Sequence, residues 1–290
     1  MRYVAPARDA VEPSVFHFAP LTHWAEYQEW LCDSAWPSID DLNARWPLAA
    51  RERFVAQTRA LLGDGLHYEQ RIASSGQIAT REENWHDLFN AIIWLRYPSL
   101  KRALNQQQVA GVAAFGPRER SRPQYAQTHF DEAGVIVIVR DLLLLDLWDA
   151  HDWHGLFWRH RDAWRDGRVS LLVFGHALLE HALTPGKLLV GKALVVQGDD
   201  YLSDDEAIDH CSRAIAAGQL LRDPLELRPL PLSGIPGWHS DNENEEFHRS
   251  AACYQPLRQG RHYPAPQRVS RDVSVEPSSR DRQVGAAYSG

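Results

Sequence analysis

Three separated stretches of the chain carry imidazole and carboxylate side chains, the groups that bind divalent metals and transfer protons. None of them belongs to a common catalytic motif, since the chain has no Gly-rich phosphate loop, no GxSxG elbow and no dinucleotide fingerprint. Chemistry at these residues therefore requires that folding bring remote segments together. The candidate side chains are those of His86 and Asp87, Asp131 and Glu132, and His176 and Glu180.

The first stretch, residues 84–90, predicts the start of a helix with Asn84 as its N-cap. His86 and Asn90 then lie one turn apart, on a face separate from the apolar stripe. Asp87 falls in the first turn, where the helix dipole favours a negative charge. The alternative is structural, with Asp87 as a capping carboxylate and His86 as a hydrogen-bonded wall residue.

The second stretch, residues 129–134, places Asp131 and Glu132 shortly before Gly134 and is predicted to form a turn. Adjacent carboxylates at a turn supply hard oxygen ligands for a cation, or a general base. Acidic residues before a glycine are equally typical of an ordinary exposed turn. Both interpretations stay open for this motif.

The third stretch follows an apolar, strand-like segment and places His176 and Glu180 four residues apart in a predicted helix. That spacing allows two side chains to bind one metal ion or one proton-transfer partner. The alternative is a His–Glu pair on the helix surface.

A loop near the middle of the chain contains Arg118, Arg120 and Arg122. Guanidinium groups suit phosphate and carboxylate, so the loop is a candidate for holding an anionic group. A solvated surface loop has the same composition, and this second interpretation also stays open.

The elements that must position these residues are mixed helices and strands. Residues 135–139 read as a buried strand, and Ser203 with Glu206 forms a capping box that predicts a helix start. We also expect a helix over residues 49–62, and a hairpin that pairs residues 68–73 with residues 77–80.

The order of these elements lacks a steady βαβ rhythm, which favours an α+β fold. We predict one mostly helical domain over residues 1–257 with a small mixed or antiparallel sheet. Residues 258–290 are rich in Arg, Ser, Pro and Gln with few apolar anchors, and we predict a disordered tail there.

The overall composition limits which cellular compartment and which binding partners are expected. The 290 residues carry a formal net charge of -7, which disfavours a general binder of nucleic acids or anionic membranes. The three cysteines are widely spaced and form no CxxC pair, so a reducing compartment is expected. No export signal and no membrane-spanning run is visible, and we predict a soluble cytoplasmic protein.

Several motifs along the chain resemble one family. They are Glu83-Asn84-Trp85-His86-Asp87-Leu88-Phe89-Asn90-Ala91, Phe130-Asp131-Glu132 with Gly134, Phe174-Gly175-His176-Ala177-Leu178-Leu179-Glu180, and the late run from Pro229 to Trp238. Together they resemble the bacterial domain-of-unknown-function family number three thousand and twenty-five. The resemblance extends to about residue 257 and implies one domain. It implies no activity, cofactor or partner.

The leading functional hypothesis is a small-molecule enzyme, namely a metal-assisted hydrolase or a related acid–base catalyst. His86 and His176 would bind Zn²⁺, Mn²⁺ or Fe²⁺, with Glu180 as a further ligand or an orienting partner. The catalytic set would be His86, Asp87, Asp131 and Glu132, with Asp131 or Glu132 activating water.

One rival hypothesis is a non-catalytic binding or scaffold protein with a buried polar network. Another is a nuclease with a His86–Asn90 pair.

Overall fold

The computed structural model describes residues 3–116 and 119–269. Three of the longer helices begin at a residue whose side chain accepts a hydrogen bond from a backbone N–H of the first turn, namely Asn84, Ser121 and Ser203. The α-helices are α1 (Gln28–Cys32), α2 (Ile39–Ala44), α3 (Arg59–Leu62), α4 (Tyr68–Ser75), α5 (Trp85–Arg96), α6 (Pro98–Phe115), α7 (Arg122–Ala133), α8 (Leu142–Asp149), α9 (Asp162–Arg165), α10 (His176–Ala182), α11 (Asp204–Ala216) and α12 (Glu245–Ser250). The strands are β1 (Arg53–Ala56), β2 (Gln77–Thr80), β3 (Gly134–Val139), β4 (Val169–Val173), β5 (Val190–Gln197), β6 (Arg228–Pro231) and β7 (Gln267–Arg268).

The larger sheet has the order β4-β3-β5-β6, and β7 pairs with the end of β5. Strand β3 runs antiparallel to β4 and parallel to β5, so the sheet is mixed. All six residues of β3 are buried, because the strand lies at the centre and is covered on both faces. The predicted α+β class, mostly helical with a small mixed sheet, is confirmed.

A second, two-stranded sheet forms from β1 and β2, which pair in parallel with helix α4 between them. The predicted hairpin is therefore wrong, since residues 68–75 form a helix that ends at Gly76 with φ of 73°. The predicted helix over residues 49–62 is also wrong over most of its length, and only its end, Arg59–Leu62, is helical, as α3. Its centre is strand β1, stabilised by hydrogen bonds to a strand more than 20 residues later.

Helix α7 ends where β3 begins, and this junction replaces the predicted turn at residues 129–134. The helix runs to Ala133, and Gly134 is already the first strand residue. Asp131 and Glu132 therefore lie in the last helical turn. The turn prediction was wrong because acidic residues before a glycine also occur at helix ends.

The segment after residue 257 differs from its prediction where the structure describes it. Residues 267–268 form β7, and Val269 is buried. The rest of the predicted tail, residues 270–290, lies outside the described residues. None of the described helices combines the length and the apolar character that crossing a bilayer requires.

Helix α10 is held close to the α7–β3 junction by two glycines. The backbone N–H groups of Phe174 and Gly175 both donate to the Gly134 carbonyl, at 2.9 and 2.8 Å. A Cβ on Gly175 would lie 2.4 Å from Ala133 Cα, and a Cβ on Gly134 would lie 2.2 Å from the Phe130 carbonyl oxygen. Only residues without a side chain fit here, and the contact brings the start of α10 against the end of α7.

We predict that Gly175→Ala destabilises the protein by about 3 kcal/mol, because the new methyl group meets backbone atoms that cannot move independently. Urea denaturation measures this change in the free energy of unfolding. Gly63→Ala is the control, since its Cβ would lie 3.3 Å from the nearest atom at an ordinary helical φ. Equal effects of the two substitutions would contradict the proposed role of the junction.

Candidate functional site

A polar cavity of about 290 Å³ opens between α5, α7 and the start of α10. His86, Asp131, Glu132 and His176 all line it, although they come from three separate stretches of the chain. Helix α5 packs against α10, and α10 packs against α7, so the three stretches meet at one place. The convergence that the sequence hypothesis requires is present.

The centre of the site is a contact between two imidazole rings. His86 Nε2 lies 3.0 Å from His176 Nε2, and the rings stand edge to face. The far nitrogen of His86, Nδ1, lies 3.0 Å from Glu180 Oε2. When Nδ1 donates its proton to this carboxylate, the neutral ring keeps its lone pair on Nε2, which points into the site.

Glu132 completes a trio of ligand-type groups with His86 and His176. One atom from each of the three residues lies within 4.8 Å of the others, and Glu132 Oε2 is 3.8 Å from His176 Nε2. Glu132 lies in the last turn of α7, where the helix dipole disfavours a negative charge. A cation beside it would relieve this unfavourable interaction.

Asp131 lies on the opposite side of His176 and is paired with Lys101. The Lys101 ammonium group is 2.6 Å from Asp131 Oδ1, and Asp131 Oδ2 is 3.9 Å from His176 Nδ1. The Lys101 side chain is only 4% exposed, so little water screens this ion pair. His176 Nδ1 is buried, and no described residue forms a hydrogen bond with it.

Burial and hydrogen bonding move the pKa values of the two histidines in opposite directions. Burial lowers the pKa of His176 to about 3, so this ring is neutral at pH 7. The hydrogen bond to Glu180 raises the pKa of His86. A protonated His86 can therefore donate from Nε2 to the neutral His176. A metal ion held by both Nε2 atoms would take the place of that proton.

The carboxylates of the site also differ from one another. Burial raises the pKa of Glu132 and of Glu69, which lines the same cavity. The pKa of Asp131 is lowered overall: burial acts to raise it, but the positive charge of Lys101 and the hydrogen bond from its ammonium group act to lower it. Groups with pKa values moved apart in this way are suited to different roles in proton transfer.

Two of the predicted residues occupy different positions from the trio. Asp87 accepts two hydrogen bonds from the Arg81 guanidinium, at 2.7 and 3.0 Å, which occupies both of its oxygens. Glu180 lies behind His86, in the place of an orienting partner. Their assigned roles, like those of the other site residues, stay predictions.

Several residues of the cavity were not predicted from the sequence. Tyr68 and Glu69 belong to α4, and Gln127 lies one turn before Asp131 on α7. Lys101 lies on α6, behind the cavity wall. The spacing of Gln127 and Asp131 was a usable signal once α7 is recognised as a helix. Nothing local connects Lys101 to a carboxylate 30 residues away.

The arginine-rich loop divides between two environments. Arg122 forms an ion pair with Asp223, whereas Arg120 lines the cavity. Arg118 lies outside the described residues. Of the two described arginines of this loop, Arg120 is the one placed to contact a molecule in the cavity.

We predict that His176 makes stability depend on pH between 5 and 7. The unfolded chain binds a proton at His176 below pH 6.5 and the folded chain does not, so stability falls as the pH is lowered from 6.5. Because of this one residue, the free energy of unfolding should be about 2 kcal/mol lower at pH 5 than at pH 7. Urea denaturation of His176→Gln should show a flatter profile, and the exposed His17→Gln control should not. Parallel profiles for all three proteins would contradict the prediction.

The comparison with known proteins identifies the family and adds no activity. No curated protein and no solved structure matches the chain. Residues 52–258 match the model of a family described as protein of unknown function (DUF3025). This match covers more than half of the 290 residues and includes every member of the site. The chain therefore belongs to the DUF3025 family, as its motifs predicted.

Proposed function

We propose that this protein is a metal-dependent hydrolase of a small molecule, with His86, His176 and Glu132 as ligands of one divalent cation. The observation that carries the proposal is the convergence of these three side chains in a polar cavity. Two imidazoles and one carboxylate form a common ligand set of catalytic zinc sites, which keep a further position open for water.

The distance between the two rings supports shared ligation. Two nitrogens each ~2.0–2.1 Å from one ion are roughly 3.4 Å apart at a tetrahedral angle and roughly 2.9 Å apart at a right angle. The observed Nε2–Nε2 separation of 3.0 Å falls between these values. The spacing of the two nitrogens is therefore compatible with binding of one ion by both rings.

The residues around the trio support the same function. Glu180 holds His86 by its far nitrogen, an arrangement that orients metal-bound histidines. Asp131 faces the far nitrogen of His176 from 3.9 Å. A metal-bound water is acidic enough to form hydroxide near pH 7. Glu69, with its raised pKa, is the candidate donor of a proton to the leaving group.

The same donor set also serves non-haem Fe²⁺ oxygenases, so the identity of the metal matters. Hydrolysis is favoured here because a carboxyl group with a raised pKa, Glu69, lines the cavity beside the trio. Such a group is needed for proton transfer to a leaving group. Mixed imidazole and carboxylate ligands suit Zn²⁺, Mn²⁺ or Fe²⁺.

We predict that the purified protein binds about one equivalent of Zn²⁺ or another transition metal. Isothermal titration of the metal-free protein measures the stoichiometry and Kd. His176→Gln and Glu132→Gln should each weaken binding at least 100-fold, because each removes one ligand. The matched control is His154→Gln, since His154 forms a similar 3.0 Å pair with Glu245 and belongs to no ligand trio in the described part of the chain.

The metal assignment fails if the wild-type protein binds no metal, or if the trio variants bind it as the His154 variant does. Hydrolysis of chromogenic esters, amides and phosphate esters by the metal-loaded protein then tests catalysis. Activity should disappear in Glu132→Gln and after chelation. Metal binding with no hydrolysis of any of these classes would contradict the hydrolase assignment.

The scaffold hypothesis makes a different prediction for the same variants. If the polar residues form a structural network, each substitution should lower the melting temperature of the metal-free protein. If they form a site built for a ligand, some substitutions should leave it unchanged or raise it. Melting curves of His86→Gln and Glu132→Gln without metal distinguish the two.

A further inference from the structure

Two residues that line the cavity carry a side-chain carbonyl oxygen for which the described residues supply no hydrogen-bond donor. Gln127 is only 3% exposed, and its Oε1 is buried without a donor. Asn90 Oδ1 is buried in the same condition, while Asn90 Nδ2 donates to the Tyr68 hydroxyl at 3.0 Å. Buried polar atoms are nearly always paired in folded proteins, so two exceptions in one cavity point to a ligand.

These two oxygens are positioned by the same helices that carry the trio. Asn90 lies one turn after His86 on α5, and Gln127 lies one turn before Asp131 on α7. Both residues line the same cavity as the imidazole pair. A ligand that satisfies them must present N–H or O–H groups, because a carbonyl oxygen only accepts hydrogen bonds.

A positive charge lines another part of the cavity. Arg120 is exposed and forms no hydrogen bond or ion pair with any residue in ranges 3–116 and 119–269. Arg81 also lines the cavity, but Asp87 already pairs with it through two hydrogen bonds. The Arg120 guanidinium is thus available for an anion, and its planar donor pattern suits carboxylate and phosphate.

We infer that the substrate is a small molecule that joins an anionic group, bound by Arg120, to N–H or O–H donors, bound by Gln127 and Asn90. Two chemical sources fit: an amide that carries a carboxylate, such as an N-acylated amino acid, and a phosphate monoester of a hydroxylated molecule. In the first, hydrolysis breaks the amide C–N bond, forms a C–O bond to water and transfers a proton to the amine. In the second, hydrolysis breaks the bond between phosphorus and the ester oxygen, forms a bond from phosphorus to the oxygen of water and transfers a proton of that water to the departing ester oxygen. The reaction described here rests on the proposed hydrolase function, whereas the binding of the anionic group and of the donors does not.

The test compares each anionic probe with a neutral counterpart. N-acetyl amino acids are paired with their C-terminal methylamides, and nucleoside or glycerol monophosphates with the free alcohols. Thermal shift and isothermal titration measure binding to the metal-loaded protein. At least one anionic family should bind tenfold or more tightly than its neutral partners, and the family that does so identifies the source.

Two variants connect this preference to the assigned residues. Arg120→Gln should abolish the preference for the anion, whereas Arg222→Gln, an exposed arginine that does not line the cavity, should keep it. Gln127→Met should weaken binding at least tenfold and raise the melting temperature of the free protein, since an unpaired buried oxygen is removed. A purely structural glutamine would show the opposite change in melting temperature.

The inference is overturned if neither anionic family binds, if neutral partners bind equally well, or if the preference survives Arg120→Gln. Metal content is measured on the same samples. If no metal is bound, the proposed hydrolase fails, and the anionic and neutral pairs are still compared on the metal-free protein. If metal is bound but the preference is absent, the substrate inference fails alone.

Discussion

The close backbone contact between Gly134 and Gly175 is the constraint on which the site depends. One carbonyl, that of Gly134, accepts two backbone hydrogen bonds from the segment that leads into α10. The approach allows β3 and β4 to pair up to the point where α7 ends and α10 begins. His176 can therefore reach Glu132 without any loop between the sheet and the site. Rigid elements of this kind hold side chains more precisely than loops do.

The charges at the end of α7 are the second feature that shapes the site. Two adjacent carboxylates, Asp131 and Glu132, lie at the negative end of a helix, where their charges are disfavoured. Lys101 compensates the first of them through a nearly buried ion pair. Within the described residues Glu132 forms no ion pair with a lysine or arginine, and the groups that lie within ligand distance of it are His86 and His176. The Glu132 carboxylate is disfavoured by the helix dipole and lies beside two imidazoles. This combination favours the binding of a metal cation there.

How much of this could be read from sequence depended on whether the signal was local. The cap at Asn84 and the buried strand at residues 135–139 were predicted, because caps and apolar runs act over a few residues. Strand β1 was missed, since its stability comes from pairing with β2 far along the chain. The three polar motifs were singled out from their residue types alone, and the structure brings His86, Glu132 and His176 from them together. The orientation of Glu180 behind His86 was one of two alternatives, because orientation follows from packing between α5 and α10.

The small parallel sheet of β1 and β2 supplies a part of the cavity wall that can change in evolution separately from the trio. Strands β1 and β2 end at Ala56 and Thr80, and the residue after each, Gln57 and Arg81, lines the cavity. In sheets of parallel strands joined by helices, ligands commonly bind to the loops that follow the carboxyl ends of the strands. The trio, by contrast, is carried by α5, α7 and α10, so the groups for chemistry and the loops for recognition belong to different elements. Insertions after these two strands could retune which molecule is accepted and leave the reactive centre intact.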